Sequence, residues 1–175
     1  DIEAEHYINH TVFSPESNKI AFFHRWLING KHRKTKFFIY DLNSKSYYVL
    51  EEKNKISHYC WIDNEYILAT LQTEKNGKYK YTLYNIKTRH REIYNHIPLN
   101  TDGHPMKNPK KNEFIITDSR IDRKRNDHIL LFNRENGLVY RVAKFFLPFS
   151  YTGSVRCDLH PRWDREGHLV VADIV

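Results

Sequence analysis

Four short segments of this chain begin with a histidine and recur at nearly regular intervals. They cover residues 10–13, 58–61, 104–107 and 160–163, and their histidines lie 48, 46 and 56 positions apart. A polar turn follows each segment, at 14–18, 63–64, 108–112 and 164–167. An apolar stretch with the character of a β-strand follows each turn, at 19–23, 66–70, 113–117 and 168–172. Repeats of ~40–50 residues are typical of architectures built from stacked, similar units.

The first three repeats continue with two further strands. The third strand covers 36–41, 80–85 and 128–133, and each copy stops at an Asp or Asn followed by turn residues, as a tight hairpin requires. A fourth strand covers 47–50, 92–96 and 139–143. Four antiparallel strands in each repeat predict the blades of a β-propeller. No segment keeps a 3.6-residue apolar period, so we expect an all-β fold with almost no helix. An ordinary β-sandwich is the alternative.

The repeats divide the chain into about three and a half blades. Blade 1 covers about 6–53, blade 2 about 54–98, blade 3 about 99–147, and an incomplete blade 4 about 154–175. Closed propellers contain roughly four to eight whole blades. We therefore interpret 1–175 as a single segment of a longer propeller. An open arc with unpaired strand edges also predicts self-association, in which two copies close on each other.

Composition limits the classes of partner. The formal net charge is +7, which favours an anionic partner. No stretch is long and apolar enough for a membrane span, and the N-terminus lacks the layout of a signal peptide, so membrane insertion is not expected and the cytoplasm is favoured. Cys60 and Cys157 are too few for a disulfide framework. The basic residues lack the stacked aromatic platform of single-strand nucleic-acid binders, so a nucleic-acid partner is not expected. Three tryptophans are expected to pack between blades: Trp26, Trp61 and Trp163.

The propeller topology predicts where the repeat histidines and the basic loops lie on the molecule. The first strand of each blade lines the central channel, and the loop that enters it shares a face with the loop between the second and third strands. Four histidines should therefore form a ring at one channel mouth: His10, His58, His104 and His160. The basic loops 31–34 and 120–125 should reach the same mouth. A ring of imidazoles in a concave site suits a divalent metal. Alternatively, each histidine only ties neighbouring blades together, and the basic loops are solvated surface.

Several motifs resemble one propeller family. They are the run Asp102, Gly103, His104 and Pro105, the segment 154–163 with its turn at 164–167, and the segment 23–26. Together they are similar to propellers of the oligogalacturonate lyase type and their TolB-like relatives, which often accompany bacterial capsule or exopolysaccharide genes. The resemblance spans nearly the whole chain, and the stretch 158–163 is its specific part.

The resemblance implies a metal-dependent β-elimination. Lyases of this type cleave the glycosidic bond of an oligogalacturonide with a manganese ion held by His residues and a Gln. By blade order, the resemblance implies that His104 and His160 are metal ligands, that His58 is the catalytic histidine, and that Arg25 or Arg33 pairs with the uronate. The metal polarises the carboxylate, and a base removes the proton beside it. Basic side chains would hold the polyanion. The predicted substrate contacts are Arg33, His24, Arg123 and Arg156.

Two positions depart from the lyase pattern. The lyases have a second His two residues before the one that matches His160, and this chain has Asp158 there. The ligating Gln would fall near Val155, which cannot bind a metal. Carboxylates suit manganese, magnesium and calcium, so Asp158 is predicted to join His104 and His160 in the site. Manganese is the expected ion, with zinc or calcium as alternatives.

The sequence therefore predicts a bacterial propeller that binds an acidic oligosaccharide or polysaccharide at a His-lined channel mouth, in surface-polysaccharide metabolism. A metal-dependent uronate lyase, with His58 and Arg25 as catalytic residues, is the first alternative. A non-catalytic protein-interaction scaffold is the second. The sequence leaves open whether the chain is an enzyme.

Overall fold

The computed structural model describes residues 4–30, 32–72, 77–94 and 101–175. Within these ranges the regular secondary structure consists of β-strands and a single 3-10 turn, Gly153–Val155. The predicted all-β class is confirmed. Across the same ranges, no helix has the length and apolar character needed to cross a membrane.

The strands form four antiparallel sheets, one for each predicted blade. Blade 1 consists of β1 (Ala4–Phe13), β2 (Lys19–Ile28), β3 (His32–Asp41) and β4 (Ser46–Glu51). Blade 2 consists of β5 (Lys55–Trp61), β6 (Tyr66–Gln72), β7 (Lys80–Asn85) and β8 (Arg91–Ile93). Blade 3 consists of β9 (Met106–Lys107), β10 (Phe114–Asp118), β11 (Asn126–Asn133) and β12 (Val139–Phe146). Blade 4 contains β13 (Arg162–Trp163) and β14 (Val170–Val171). The predicted end of the fourth strand of blade 2, at 95–96, lies outside the described residues.

The β2–β3 hairpin of blade 1 is longer than the sequence pattern predicts. The two strands pair without interruption, from Lys19 opposite Asp41 to Ile28 opposite His32. Arg33 is therefore part of strand β3 rather than of a loop. Asn29 and Gly30 turn the chain, and both have positive φ values, 51° and 65°. An Asn-Gly pair is a strong hairpin signal, because both residues tolerate the left-handed conformation that these turns need. Because the turn lies at residues 29 and 30, the two paired strands are longer than the apolar pattern alone suggests.

Apolar side chains pack between consecutive blades. One face of blade 1, with Phe23, Phe37 and Ile39 at its centre, packs on Tyr59 and other residues of blade 2. A second cluster joins blades 2 and 3, and a third joins blades 3 and 4. The seams between blades therefore contain the hydrophobic core.

Side-chain hydrogen bonds also cross the seams. The Tyr59 hydroxyl donates to the carbonyl oxygens of Ala21, at 2.7 Å, and of His10. The Trp61 indole donates to the carbonyl oxygen of Val12 at 3.3 Å, which agrees with an interblade role for this residue. Trp163 packs in the seam between blades 3 and 4. Trp26 is different, because it stacks beside His6 and His24 on blade 1.

The carboxylate of Glu51 joins blade 1 to blade 2. Its Oε1 accepts the main-chain N–H groups of residues 52–54, and its Oε2 accepts from the Tyr84 hydroxyl at 3.0 Å and from Arg91. Burial alone would raise the pKa of Glu51. The hydrogen bonds and the Arg91 charge outweigh burial, so the pKa lies below its ordinary value of 4.5.

We expect Glu51→Gln to lower the free energy of unfolding at pH 7 by about 2 kcal/mol, because buried hydrogen bonds to a charged group are lost. A depressed folded-state pKa stabilises the protein above the unfolded pKa, and this contribution disappears as the pH falls through the folded value. The difference between wild type and variant, measured by urea unfolding, should therefore shrink below pH 4.5. Glu92→Gln, at the exposed position next to Arg91 on strand β8, is the control. If the difference in unfolding free energy stays constant down to pH 3, the Glu51 carboxylate does not stabilise the contact between blades 1 and 2.

Part of the other face of blade 1 is apolar and exposed. Phe22 stacks on Phe38 with ring centroids 5.4 Å apart, and Tyr47 packs edge-on against Phe38. Tyr47 is 69 % exposed, and Ile8, which pairs with His24 on the same face, is 63 % exposed. Exposed apolar side chains grouped on one face in this way often mark a contact with another sheet or protein.

We expect these exposed apolar side chains to drive self-association. Analytical ultracentrifugation should show mass that rises with concentration for the wild type. The double variant Ile8→Lys with Tyr47→Lys should stay monomeric, because lysine ammonium groups resist burial. The control, Ile121→Lys with Leu138→Lys, changes exposed apolar residues of blade 3 by the same charge. Equal association of both variants would show that copies meet elsewhere.

Candidate functional site

The first strands bring four histidines into one row. The ring centroids of His10 and His58 are 5.1 Å apart, those of His58 and His104 are 3.9 Å apart, and those of His104 and His160 are 3.9 Å apart. Each ring comes from a different blade, so the contacts follow the seams from blade 1 to blade 4. The expected grouping of the repeat histidines is confirmed.

Irregular backbone positions these rings. The pairing of β1 with β2 shifts register between Asn9 and Val12, and the pairing of β5 with β6 shifts between Ile56 and Tyr59. Such bulges re-aim a side chain away from the regular alternation of a strand. His10 and His160 also have positive φ values, 53° and 40°, which are uncommon for residues other than glycine. The neighbouring blades hold these strained positions in place.

Acceptor groups fix the tautomers of three histidines. The Nδ1 of His104 lies 2.8 Å and 2.9 Å from the two carboxylate oxygens of Asp118. The Nδ1 of His58 lies 3.2 Å from Asp102, and the Nδ1 of His160 lies 2.9 Å from the carbonyl oxygen of Asp158. Since an oxygen acceptor holds the proton on Nδ1, the Nε2 atoms carry free lone pairs.

The Nε2 atom of His104 is buried and has no hydrogen-bond partner in the described part of the chain. A buried polar atom without a partner is rare and calls for an explanation. Its orientation by a carboxylate on the opposite ring nitrogen is the arrangement that protein metal sites use.

Asp102 connects blade 2 with blade 3. Its carboxylate accepts from Ser57 at 2.7 Å, from Thr70 at 2.9 Å and from Arg120 at 2.9 Å, in addition to His58. Burial alone would raise the pKa of Asp102, but these hydrogen bonds and charges lower it well below its usual range. Burial is also the main reason that the pKa of His58 is lowered, and it outweighs the opposing effect of Asp102. At neutral pH the pair is therefore a carboxylate and a neutral imidazole.

Burial also keeps His10 neutral. Burial, the largest cause, acts together with the nearby His58 and Arg25 to lower the pKa of this imidazole to about 3. A neutral ring can accept a proton or bind a metal without first losing a charge.

His104, Asp158 and His160 each offer one ligand atom, and these atoms lie within 4.8 Å of one another. The structure thus brings the three predicted metal ligands together. The Asp158 carboxylate, however, is already paired with Arg156, whose Nε and Nη2 lie 2.6 Å and 2.7 Å from its two oxygens. Arg120 approaches the same carboxylate at 3.4 Å. A metal at this position would have to compete with Arg156 for Asp158.

A cavity of about 780 Å³ adjoins the histidine row. His10, His104 and His160 lie on its wall, together with the aromatic side chains of Tyr59 and Trp61. Lys107 and Arg162 add cationic groups to the wall, and Arg162 pairs with Asp173 at 3.1 Å. A concave, mostly apolar surface with a few converging polar groups is typical of small-molecule sites.

The other predicted site residues lie away from this cavity. Arg25 is buried in the seam between blades 1 and 2, where its Nη2 donates to the carbonyl oxygen of Ser57 at 2.9 Å and its guanidinium covers the Phe23 ring. His24 lies on the outer face of blade 1, with its Nε2 3.0 Å from the Nδ1 of His6. Arg33 is exposed on β3, and Arg123 is exposed in the turn between β10 and β11.

Asp118 and Arg120 have roles that the sequence analysis did not assign. Asp118 orients His104 and accepts the main-chain N–H of His160 at 3.1 Å, and Arg120 bridges Asp102 and Asp158. Asp118 is the last residue of β10, the second strand of blade 3, and Arg120 follows it, at the end that the propeller topology brings to the mouth. Their position was a usable signal, but each of them also has a partner outside blade 3, His160 for Asp118 and Asp158 for Arg120.

Sequence comparisons identify no relative, whereas structural comparisons identify the fold. No protein-family model matches the chain, and no curated protein matches it significantly. TolB from Acinetobacter baumannii superimposes with a TM-score of 0.63 at 16 % identity over 95 % of this chain. An oligogalacturonate lyase in complex with manganese superimposes with a TM-score of 0.64 at 12 % identity over 99 % of it. The β-propeller domain of the trilobed protease from Pyrococcus furiosus, described as having an open velcro topology, gives 0.52 at 9 % identity over 85 %.

The chain spans 37 % of that TolB, 48 % of the lyase and 45 % of the protease propeller. At these identities the likeness concerns the fold. The chain therefore has the β-propeller fold of TolB and oligogalacturonate lyase.

Proposed function

We propose that this protein binds an acidic carbohydrate in the cavity beside the histidine row, with a divalent metal, and acts in bacterial surface-polysaccharide metabolism. The observation that carries the proposal is the unpartnered, buried Nε2 of His104, next to His160 and held in orientation by Asp118. A metal ion is the partner that this nitrogen lacks. The positively charged chain favours an anionic ligand.

His104 and His160 would hold the ion through Nε2, and Asp158 would provide an oxygen ligand. Two imidazoles and a carboxylate suit manganese and also zinc, whereas calcium prefers an all-oxygen site. Such an ion, when bound, polarises the carboxylate of a uronate. Asp158 would exchange Arg156 for the metal, which leaves the Arg156 guanidinium free to pair with the sugar carboxylate.

A uronate lyase is the second candidate function, and His58 favours it. Its lowered pKa leaves the imidazole neutral, so its free Nε2 can accept the proton on the carbon beside the uronate carboxylate. The electron pair of that C–H bond would form the double bond as the neighbouring C–O bond breaks. The leaving oxygen would take a proton from the His58 imidazolium, so that the sugar departs as an alcohol and His58 is neutral again. The manganese in the lyase structure supports this candidate, and Val155 at the place of the lyase Gln weighs against it. Arg25 is too deeply buried to contact the substrate directly.

The exposed apolar side chains of blade 1 are the observation that favours a protein-interaction scaffold instead of either function.

Titration calorimetry with digalacturonate and manganese tests the proposal. We expect the wild type to bind digalacturonate when manganese is present and to ignore a neutral disaccharide such as maltose. His160→Ala should abolish both the metal heat and the sugar binding, whereas His168→Ala, at an exposed position of the same blade, should leave both unchanged. Absence of metal heat in the wild type would refute the metal site. Formation of unsaturated uronate, followed by its ultraviolet absorbance, would identify a lyase.

Arg156→Gln should tighten manganese binding about fivefold, because the removed ion pair is partly exposed and contributes about 1 kcal/mol to holding Asp158. The rise in melting temperature with manganese should increase accordingly, since the ion stabilises the folded state. Arg162→Gln, which removes the exposed pair with Asp173, is the matched control. An unchanged affinity for manganese in Arg156→Gln would remove Asp158 from the ligand set.

A further inference from the structure

A second concave surface lies between blade 1 and the start of blade 2. It is a groove of about 420 Å³, formed by Trp26 of β2, by residues 33–36 of β3, by residues 52–54, which connect β4 to β5, and by Lys55 at the start of β5. None of these residues lines the cavity beside the histidine row. The groove therefore needs its own explanation.

The side chains of the groove are strongly basic. Arg33, Lys34, Lys36, Lys53 and Lys55 contribute five cations, and Glu52 contributes the single carboxylate. Glu52 pairs with Lys36 at 2.9 Å, so its charge is already compensated. Within the described residues, Arg33, Lys34 and Lys53 form no ion pair. Like charges that converge on a concave surface repel one another, and an anionic ligand removes that repulsion.

The groove also contains an aromatic ring. Trp26 stacks with His6, at 6.0 Å between ring centroids and 17° between planes, and contacts His24 in a tilted arrangement, at 5.2 Å and 34°. These contacts hold the indole in one orientation. A fixed indole offers an apolar surface on which a sugar ring can pack, while the surrounding cations pair with acidic groups. Inorganic anions alone would make no use of this ring.

Strand β5 connects the groove with the histidine row. Lys55 is the first residue of β5, and His58 follows three residues later. An extended strand rises about 3.3 Å per residue, so the groove and the histidine row are separated by roughly 10 Å along this strand. One oligosaccharide of several residues can span that distance.

We propose that this groove is a second binding subsite for acidic oligosaccharides, in which Arg33, Lys34 and Lys53 pair with the acidic groups and Trp26 packs against a sugar ring. The inference rests on the proposed function, because it extends the same ligand from the cavity onto blade 1. The groove would therefore contact only long ligands: a dimer occupies the cavity alone, and a hexamer reaches both the cavity and the groove.

The test compares two double variants of equal charge. Lys34→Glu with Lys53→Glu changes the groove, and Lys87→Glu with Lys111→Glu changes exposed lysines on other parts of blades 2 and 3. Affinities for digalacturonate and hexagalacturonate are measured by calorimetry in the presence of manganese. The groove variant should bind the hexamer about tenfold more weakly than the control variant, and the two should bind the dimer equally. Trp26→Ala should weaken hexamer binding without changing the net charge.

The outcomes separate this inference from the proposed function. If the wild type binds dimer and hexamer with equal affinity, or if both double variants lose the same affinity, the groove is not a subsite and the cavity proposal stands. If hexamer binding depends on the groove but not on His160, the subsite stands and the cavity proposal fails. If a hexamer of single-stranded DNA binds the groove more tightly than hexagalacturonate does, the ligand class is wrong.

Discussion

The buried carboxylate of Asp118 is the interaction on which the inner part of this protein depends. It accepts the main-chain N–H of His104 at 2.7 Å, the main-chain N–H of His160 at 3.1 Å, and the Nδ1 of His104. One side chain therefore satisfies backbone groups at the starts of two blades and sets the orientation of an imidazole. A carboxylate that is only 1 % exposed is tolerable here because these N–H groups donate to it.

Asp102 and Glu51 apply the same solution at the other seams. Asp102 receives donors from β5, β6 and the loop after β10, and Glu51 receives donors from blades 1 and 2. Apolar contacts supply most of the burial between blades, but they do not specify how far one blade is rotated against the next. Directional hydrogen bonds to a buried charge restrict that rotation, because a displaced donor leaves the charge unsatisfied.

The seams and the histidine row are therefore a single structure. Tyr59 holds the carbonyl of His10, Asp102 holds His58, and Asp118 holds both His104 and His160. The rings of His58 and His104 are thus oriented by carboxylates that also join two blades, and the backbone at His10 and His160 is held by bonds across a seam. The Nε2 atoms of His58, His104 and His160 are left as the free side of the row. A site assembled in this way is rigid before any ligand binds, and rigidity reduces the entropic cost of binding. The Arg156–Asp158 pair, 41 % and 18 % exposed, is the part of the site that can rearrange most easily.

The sequence by itself determined the local elements and their repetition. Alternating apolar residues, turn residues and the four repeat histidines predict the strands, the blades and the grouping of the rings, because these depend on spacing along one strand and on a topology that every blade shares. Only the tertiary structure decided which groups those histidines contact. Asp118 and His160 are 42 residues apart in the chain, and Ser57 and Asp102 are 45 apart. It likewise buried Arg25, extended the β2–β3 hairpin, and assembled the basic groove from two blades. Such contacts depend on how far each blade is rotated against its neighbour, a quantity set by packing across the seams and by no pattern within a single strand.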